Sequence, residues 1–245
     1  MIRLIQRELE DYLLLLRSVP SLVVTMFILC VVLMNLLANK EFISYKYLAL
    51  DCGFLLSWIS FLCMDIICKH FGPKPAIKIS ILAVGANLLV CIIFKLISMS
   101  PGHWGQFYET GSQQVNDALN ATVGGTWYVL LGSSIAMLCA AVTNSGLNHL
   151  VANSIESSGF RAFATRSYIS TCGGQFVDNF VFSTIVSVHF FGWTWAQVFF
   201  CSLTGAIMEL LCEVIFSPMG YRVCERWERE NVGETYLEYI QAEDE

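Results

Sequence analysis

Five carboxylates stand inside apolar stretches of this chain: Asp51, Asp65, Asp178, Glu209 and Glu213. An ionised side chain facing lipid is costly, so each points to a cavity, a partner or a site. Asp178 has no Lys or Arg within a helical turn, so it must face a cavity or a partner. On a helix, Arg166, Ser170, Gly174 and Asp178 fall at i, i+4, i+8 and i+12 as one stripe, flanked by Gln175 and Asn179. The Gly173–Gly174 pair beside it either lets a neighbouring helix approach closely or opens backbone to a ligand. Glu209 and Glu213 share a face one turn apart; two like carboxylates repel, so one is protonated or both meet water or a cation. Asp51, Trp58 and Asp65 fall on one face of another predicted helix. Asp65 either pairs with Lys69 one turn on or serves a site, and Asp51 either reaches water at the helix end or joins it. Asn144 and Asn148 lie on a helix whose Gly132, Ala136 and Ala140 face predicts tight packing, and the lone Asn87 predicts an interhelical hydrogen bond.

Together these residues suit a flat, polar heterocycle. A carboxylate accepts two hydrogen bonds from adjacent N–H donors such as a guanine-like edge; an amide reads a neighbouring carbonyl; an aromatic ring such as Trp58 stacks on the face. There is no nucleophile–base–orienter set, phosphate-binding glycine loop or metal-ligand spacing. The expectation is therefore a protein that is not an enzyme and has no cofactor or metal, with a nucleobase-like small molecule and the bilayer as partners.

The elements that must position these residues follow from composition. Of 245 residues, 56% are hydrophobic and 14% charged, with a mean hydropathy of +0.60; a soluble domain carries about 25% charged residues. The expected fold is all-α, a polytopic membrane protein. Residues 1–20 read as an interfacial amphipathic helix, with Ile2, Ile5, Leu9, Leu13 and Leu16 on one side. Residues 21–220 read as six transmembrane helices, at about 21–38, 47–68, 76–98, 126–147, 163–190 and 195–216, with a long outer loop over 99–125. Residues 221–245 read as a loosely held acidic tail. The first apolar run follows a long charged lead and no small-residue cleavage site, which does not suit a cleaved signal peptide.

Of the Lys and Arg residues, Arg3, Arg7, Arg17, Lys69, Lys74, Lys78, Arg161, Arg166, Arg222, Arg226 and Arg229 fall on one side of this plan. Only Lys40, Lys46 and Lys95 fall on the other. The asymmetry places both termini in the cytoplasm. The net charge of −6 comes largely from the tail, and no basic stripe suits nucleic acid. The ten cysteines are scattered among apolar residues and read as packing. Small-residue faces permit a homodimer without requiring one.

Two stretches resemble a known family. Cys63-Met-Asp65-Ile-Ile-Cys-Lys69-His-Phe71-Gly72 is similar to the Asp-(x)3-Arg-(x)-Phe-Gly signature of the queuosine precursor transporter family, formerly known as putative vitamin uptake transporters. Ser170-Thr171-(x)2-Gly174-Gln175-(x)2-Asp178-Asn179-(x)2-Phe182 resembles its Ser-Thr, Gly-(Asn/Gln), Asp-Thr, Phe signature, with Arg166 upstream. The resemblance spans roughly residues 45–220. It implies a six-span bacterial cytoplasmic-membrane importer of 7-deazaguanines (7-cyano- or 7-aminomethyl-7-deazaguanine, or queuine), with Asp65, Arg166, Gln175 and Asp178 as site positions. Lys69 replaces the family's more usual Arg, and Asn144 or Asn148 is the candidate in the fourth span. The expected chamber lies between the second, fourth, fifth and sixth spans, bounded by Asp178, Gln175, Asp65, Arg166, Glu209, Trp58, Ser170, Asn144 and Asn179. The alternative is the substrate-binding subunit of an energy-coupling-factor vitamin importer. The first span lacks the small-residue docking face that those subunits carry.

Overall fold

Long apolar runs decide the architecture. The computed structural model describes residues 2–45, 47–154 and 159–244. Lys46, one of the three expected outer charges, lies outside them, as do Met1, Glu245 and the side chains of Ile2, Arg3 and Ile5. The helices are α1 (Ile2–Ser18), α2 (Ser21–Leu37), α3 (Phe54–Phe71), α4 (Pro73–Met99), α5 (Gly105–Thr110), α6 (Gln113–Gly125), α7 (Trp127–Ser154), α8 (Phe160–Phe182), α9 (Val188–Phe191), α10 (Trp195–Arg229) and α11 (Glu234–Asp244). A π-helical turn, Ser183–Ser187, joins α8 to α9.

Four helical stretches are long and apolar enough to cross a bilayer: Phe54–Phe71, Pro73–Met99, Gln113–Ser154 and Trp195–Arg229. A fifth counts if Gln6–Ser18 and Ser21–Leu37, set at 103° to one another, form one bent span. The other two expected spans fall short of this measure for different reasons. α2 is apolar but has 17 residues, about 25 Å at 1.5 Å per residue. α8 has 23 residues, and Arg166, Gln175, Asp178 and Asn179 lower its hydropathy. Ile92, Leu96, Leu89 and Ile81 on α4 and Ile215 and Leu211 on α10 are all exposed. Large apolar side chains exposed in such number suit lipid, not water.

α3 is the central helix. It packs against α2, α4, α7, α8 and α10, while α7 packs on α8, α8 on α10 and α4 on α7. The small-residue face does what its composition predicts. Ala136 and Ala140 are fully buried, and a Cβ on Gly132 would come within 2.5 Å of Val186. Gly173 and Gly174 take the packing role: an added Cβ would run into Leu147 at the first, and would meet Asn144 and Phe61 at 2.9 and 3.0 Å at the second. Asn87 Nδ2 donates to Ser134 Oγ at 3.2 Å, the expected bond between α4 and α7. Gly174→Val should wedge α7 from α8 at a cost of about 1–3 kcal/mol. A lowered melting temperature in detergent checks this, with Gly146→Ala, where a Cβ meets open space, as the unchanged control.

The structure departs from the sequence expectations in four places. The second span does not begin at residue 47. β1 (Glu41–Tyr45) and β2 (Leu48–Asp51) form an antiparallel hairpin, and the fold is helical with this one small exception among the described residues. Asp51 ends β2, where its Oδ1 accepts from Gly53 N at 2.7 Å, so it shares no helical face with Trp58 and Asp65.

The expected loop over 99–125 is largely helical. α6 stands against α4, with Gly124 packed on Ser98. Trp104 is held by Asn116 and Asn120 through bonds of 2.8 and 2.7 Å.

The helix of the sixth expected span, α10, does not stop at 216 but runs on through Pro218 to Arg229. Proline has no N–H for the carbonyl four residues back, and Ser217 Oγ donates to that Val214 oxygen at 3.3 Å instead.

The tail is docked, not loose. Asn231 and Gly233 turn the chain with φ of 49° and 74°. Val232 O lies 2.8 Å from His70 Nε2. Tyr236 is buried against Phe71.

Candidate functional site

α3, α8 and α10 each carry polar side chains at two heights. The layer nearer the hairpin combines Ser57 of α3, Asp178 and Asn179 of α8 and Glu209 of α10. The layer nearer the tail combines Asp65 of α3, Ser167, Ser170 and Thr171 of α8 and Glu213 of α10. The spacings that separate them, seven residues from Thr171 to Asp178 and eight from Ser57 to Asp65, amount to about 10–12 Å of helix. Helix packing therefore converts three sequence stripes into two stacked polar sites.

In the hairpin-side layer, Glu209 accepts from Ser57 Oγ and from Asn179 Nδ2, the latter at 3.2 Å. Asn179 also donates to Gln175 O at 2.9 Å. The Asn179 amide fits because Gly205 faces it: a Cβ there would lie 3.1–3.2 Å from the amide atoms. Asp178 Oδ1 is buried and has no hydrogen-bond partner among the described residues. These groups border a recess of about 70 Å³ that Asn35, Ser133 and Asp51 also line. Asn35 and Ser133 hydrogen-bond to one another.

The recess opens on a vestibule of about 640 Å³ at the hairpin end. Ala38, Ala49, Asp51, Asn179 and Phe182 border both spaces. The π-helical turn contributes Ser183 and Ser187 to the vestibule wall, a common placement for such distortions. The recess is lined by three carboxylates and no Lys or Arg, which favours a ligand edge that donates hydrogen bonds.

In the tail-side layer Asp65 is fully buried. It does not pair with Lys69, which lies 3.3 Å from Glu228 and over the rings of Phe163 and Tyr221. Neutral donors surround it instead: Asn144 Nδ2 at 2.8 Å, Asn148 Nδ2 at 3.3 Å, Ser167 Oγ at 2.5 Å, Thr171 Oγ1 at 3.2 Å and Ser170 Oγ at 3.4 Å. Ser167 Oγ also lies within hydrogen-bond reach of Glu213 Oε1.

The residues named from sequence thus separate. Asp178, Asn179 and Glu209 come together at the recess. Asp65, Asn144 and Ser170 come together about two helical turns away. Gln175 lies between the layers on α8, fully buried, with neither amide atom partnered among the described residues. Arg166 is half-buried one residue before Ser167. Trp58 lines neither space, because its indole stacks on Phe216 at 4.2 Å and donates to Leu55 O.

Sequence reasoning missed Asn35, Ser57 and Ser133. Asn35 carried a signal, as the one amide within the apolar run of α2. The two serines did not, since hydroxyls in such helices usually bond their own backbone.

Comparison with curated proteins and with solved structures returned no match. Residues 51–223 match the family described as putative vitamin uptake transporter, a span that holds both polar layers and the carboxylates Asp51, Asp65, Asp178, Glu209 and Glu213. The chain belongs to this family of multi-pass membrane transporters.

Proposed function

We propose that this transporter imports 7-deazaguanine precursors of queuosine into a bacterial cell for salvage into tRNA. It does so as a cytoplasmic-membrane protein of six spans, formed by α2, α3, α4, α7, α8 with its π-helical extension, and α10. α1 lies along the interface and both termini face the cytoplasm. The observation that carries the reading is the buried, unpartnered Asp178 oxygen beside Glu209 at the end of a vestibule.

That vestibule falls within the roughly 300–1,000 Å³ of small-molecule pockets, and the recess is far smaller. A planar base therefore rests in the vestibule and inserts only its polar edge. The ring N–H and exocyclic amine of a guanine-like edge donate to the two oxygens of Asp178. Asn35, whose amide gives one hydrogen to Val31 O, has a second to donate to the adjoining carbonyl, and Phe182 supplies an aromatic wall. Entry comes from the hairpin side. The donors packed around Asp65 close the other end, and alternating access moves the helices around the fixed recess.

A site built to satisfy an N–H donor rejects analogues that lack it, because its acceptor is left unpaired. In a competition assay against labelled 7-aminomethyl-7-deazaguanine, the analogue lacking the 2-amino group should compete at least about 10-fold more weakly, the weight of one hydrogen bond of about 1.4 kcal/mol. Equal competition by the two would remove Asp178 from recognition of that edge.

A further inference from the structure

The tail-side layer holds a hydrogen-bond count that fixes its protonation. Ser167 Oγ has one hydrogen to give, yet it lies 2.5 Å from Asp65 Oδ2 and in contact with Glu213 Oε1. Both carboxylates are fully buried, and two ionised oxygens cannot both accept one hydrogen. One of the carboxyls must bring its own. The surroundings decide which. Asp65 also faces Asn144, Asn148 and Thr171, with Ser170 shared between it and the Ser167 carbonyl, a shell of donors that suits an ionised acceptor. Glu213 meets fewer donors, Ser167 and a Thr171 hydroxyl that it shares with Asp65, and its Oε2 is buried without a hydrogen-bond partner among the described residues.

We propose that Asp65, Ser167 and Glu213 form a proton-binding site, in which Glu213 donates to the Ser167 hydroxyl and that hydroxyl donates to ionised Asp65, and that the site takes up and releases one proton in each transport cycle. The proton comes from water on the hairpin side and goes to water on the tail side when the helices rearrange, so no other reactant is required. The inference rests on the transporter assignment but not on the identity of the substrate.

The charged and titratable groups around the pair leave the count unchanged. On α3, Lys69 is engaged by Glu228, and Cys68 is buried. On α8, Arg166 is half-buried next to Ser167, and the Tyr168 hydroxyl pairs with Ser217 at 2.7 Å. On α10, Glu209 belongs to the other layer, four residues from Glu213, Cys224 is buried against Ile66 O, and Cys212 is the residue before Glu213. α7 presents the amides of Asn144 and Asn148.

The site is also separate from the recess, which shares none of these three residues. This places proton and ligand in different layers of the same helices, an arrangement in which both bias one rearrangement.

Infrared difference spectroscopy of the purified protein at neutral pH tests the site without any substrate. Subtracting the Glu213→Gln spectrum from the wild type should reveal a protonated carboxylic C=O band and no loss of carboxylate bands. Ser167→Ala, which keeps both acids, should shift that band. Loss of a carboxylate band in Glu213→Gln, or an unmoved band in Ser167→Ala, overturns the proposal.

A second arm uses proteoliposomes and 7-aminomethyl-7-deazaguanine. Wild-type accumulation should rise up to about 10-fold per pH unit of inward gradient, as one coupled proton allows. Glu213→Gln should exchange ligand across the membrane yet ignore the gradient, and an undiminished gradient response in this variant overturns the coupling. If neither protein moves the ligand, the substrate reading falls while the infrared result still decides the proton site.

Discussion

Asp178→Ala should reduce uptake of labelled 7-aminomethyl-7-deazaguanine by at least about 100-fold in cells unable to make the compound, at unchanged membrane abundance. Two hydrogen bonds from N–H donors to a carboxylate contribute about 1.5–3 kcal/mol each, and about 2.8 kcal/mol is a factor of 100. Stability should hold, because Asp178 Oδ1 has no partner among the described residues to lose. Asp178→Asn should fall in between, since the amide keeps one acceptor and turns a donor toward the ligand's own donor. Uptake at wild-type level in Asp178→Ala would remove this carboxylate from the site.

Asp65→Ala should act in the opposite way, on the fold before the function. Its removal strands the amides of Asn144 and Asn148 and the hydroxyls of Ser167 and Thr171 inside the helix bundle. A stranded buried donor costs about 1–3 kcal/mol, although interhelical hydrogen bonds in membranes average nearer 0.6 kcal/mol. Together they amount to a loss on the order of 3 kcal/mol, read as a lowered melting temperature in detergent. Lys69→Ala should lose about 0–1 kcal/mol, as expected for an ion pair with a well-exposed partner such as Glu228. A larger loss for Lys69 than for Asp65 would restore the ion-pair reading that the sequence left open.

The acids in apolar runs were legible because lipid makes a charge conspicuous, and helical periodicity alone aligned Ser170, Gly174 and Asp178. Helical periodicity could not say that Ser170 and Asp178 serve different layers, because that depends on where α3 and α10 cross α8. Asp51 was misplaced because Leu48–Asp51 continues the apolar composition of α3. Gly53 and the β-favouring residues of β1 were the only sign of a hairpin. Trp58 fitted a stacking role by type, yet its partner Phe216 lies 158 positions away (216 − 58), beyond any local pattern. The stretch 99–125 is polar enough to read as loop and becomes helical by leaning on α4. Thr194 and Gln197, which form a capping box at the start of α10, mark that boundary in the sequence itself. The far end of α10 was lost at Pro218, where Ser217 offsets the missing bond.

The most direct test is a structure of the protein with 7-aminomethyl-7-deazaguanine bound. The predicted result is a base lying in the vestibule with its amine edge within hydrogen-bond distance of both Asp178 oxygens and its carbonyl near the Asn35 amide. A ligand ordered elsewhere, with Asp178 untouched, would contradict the placement of the site.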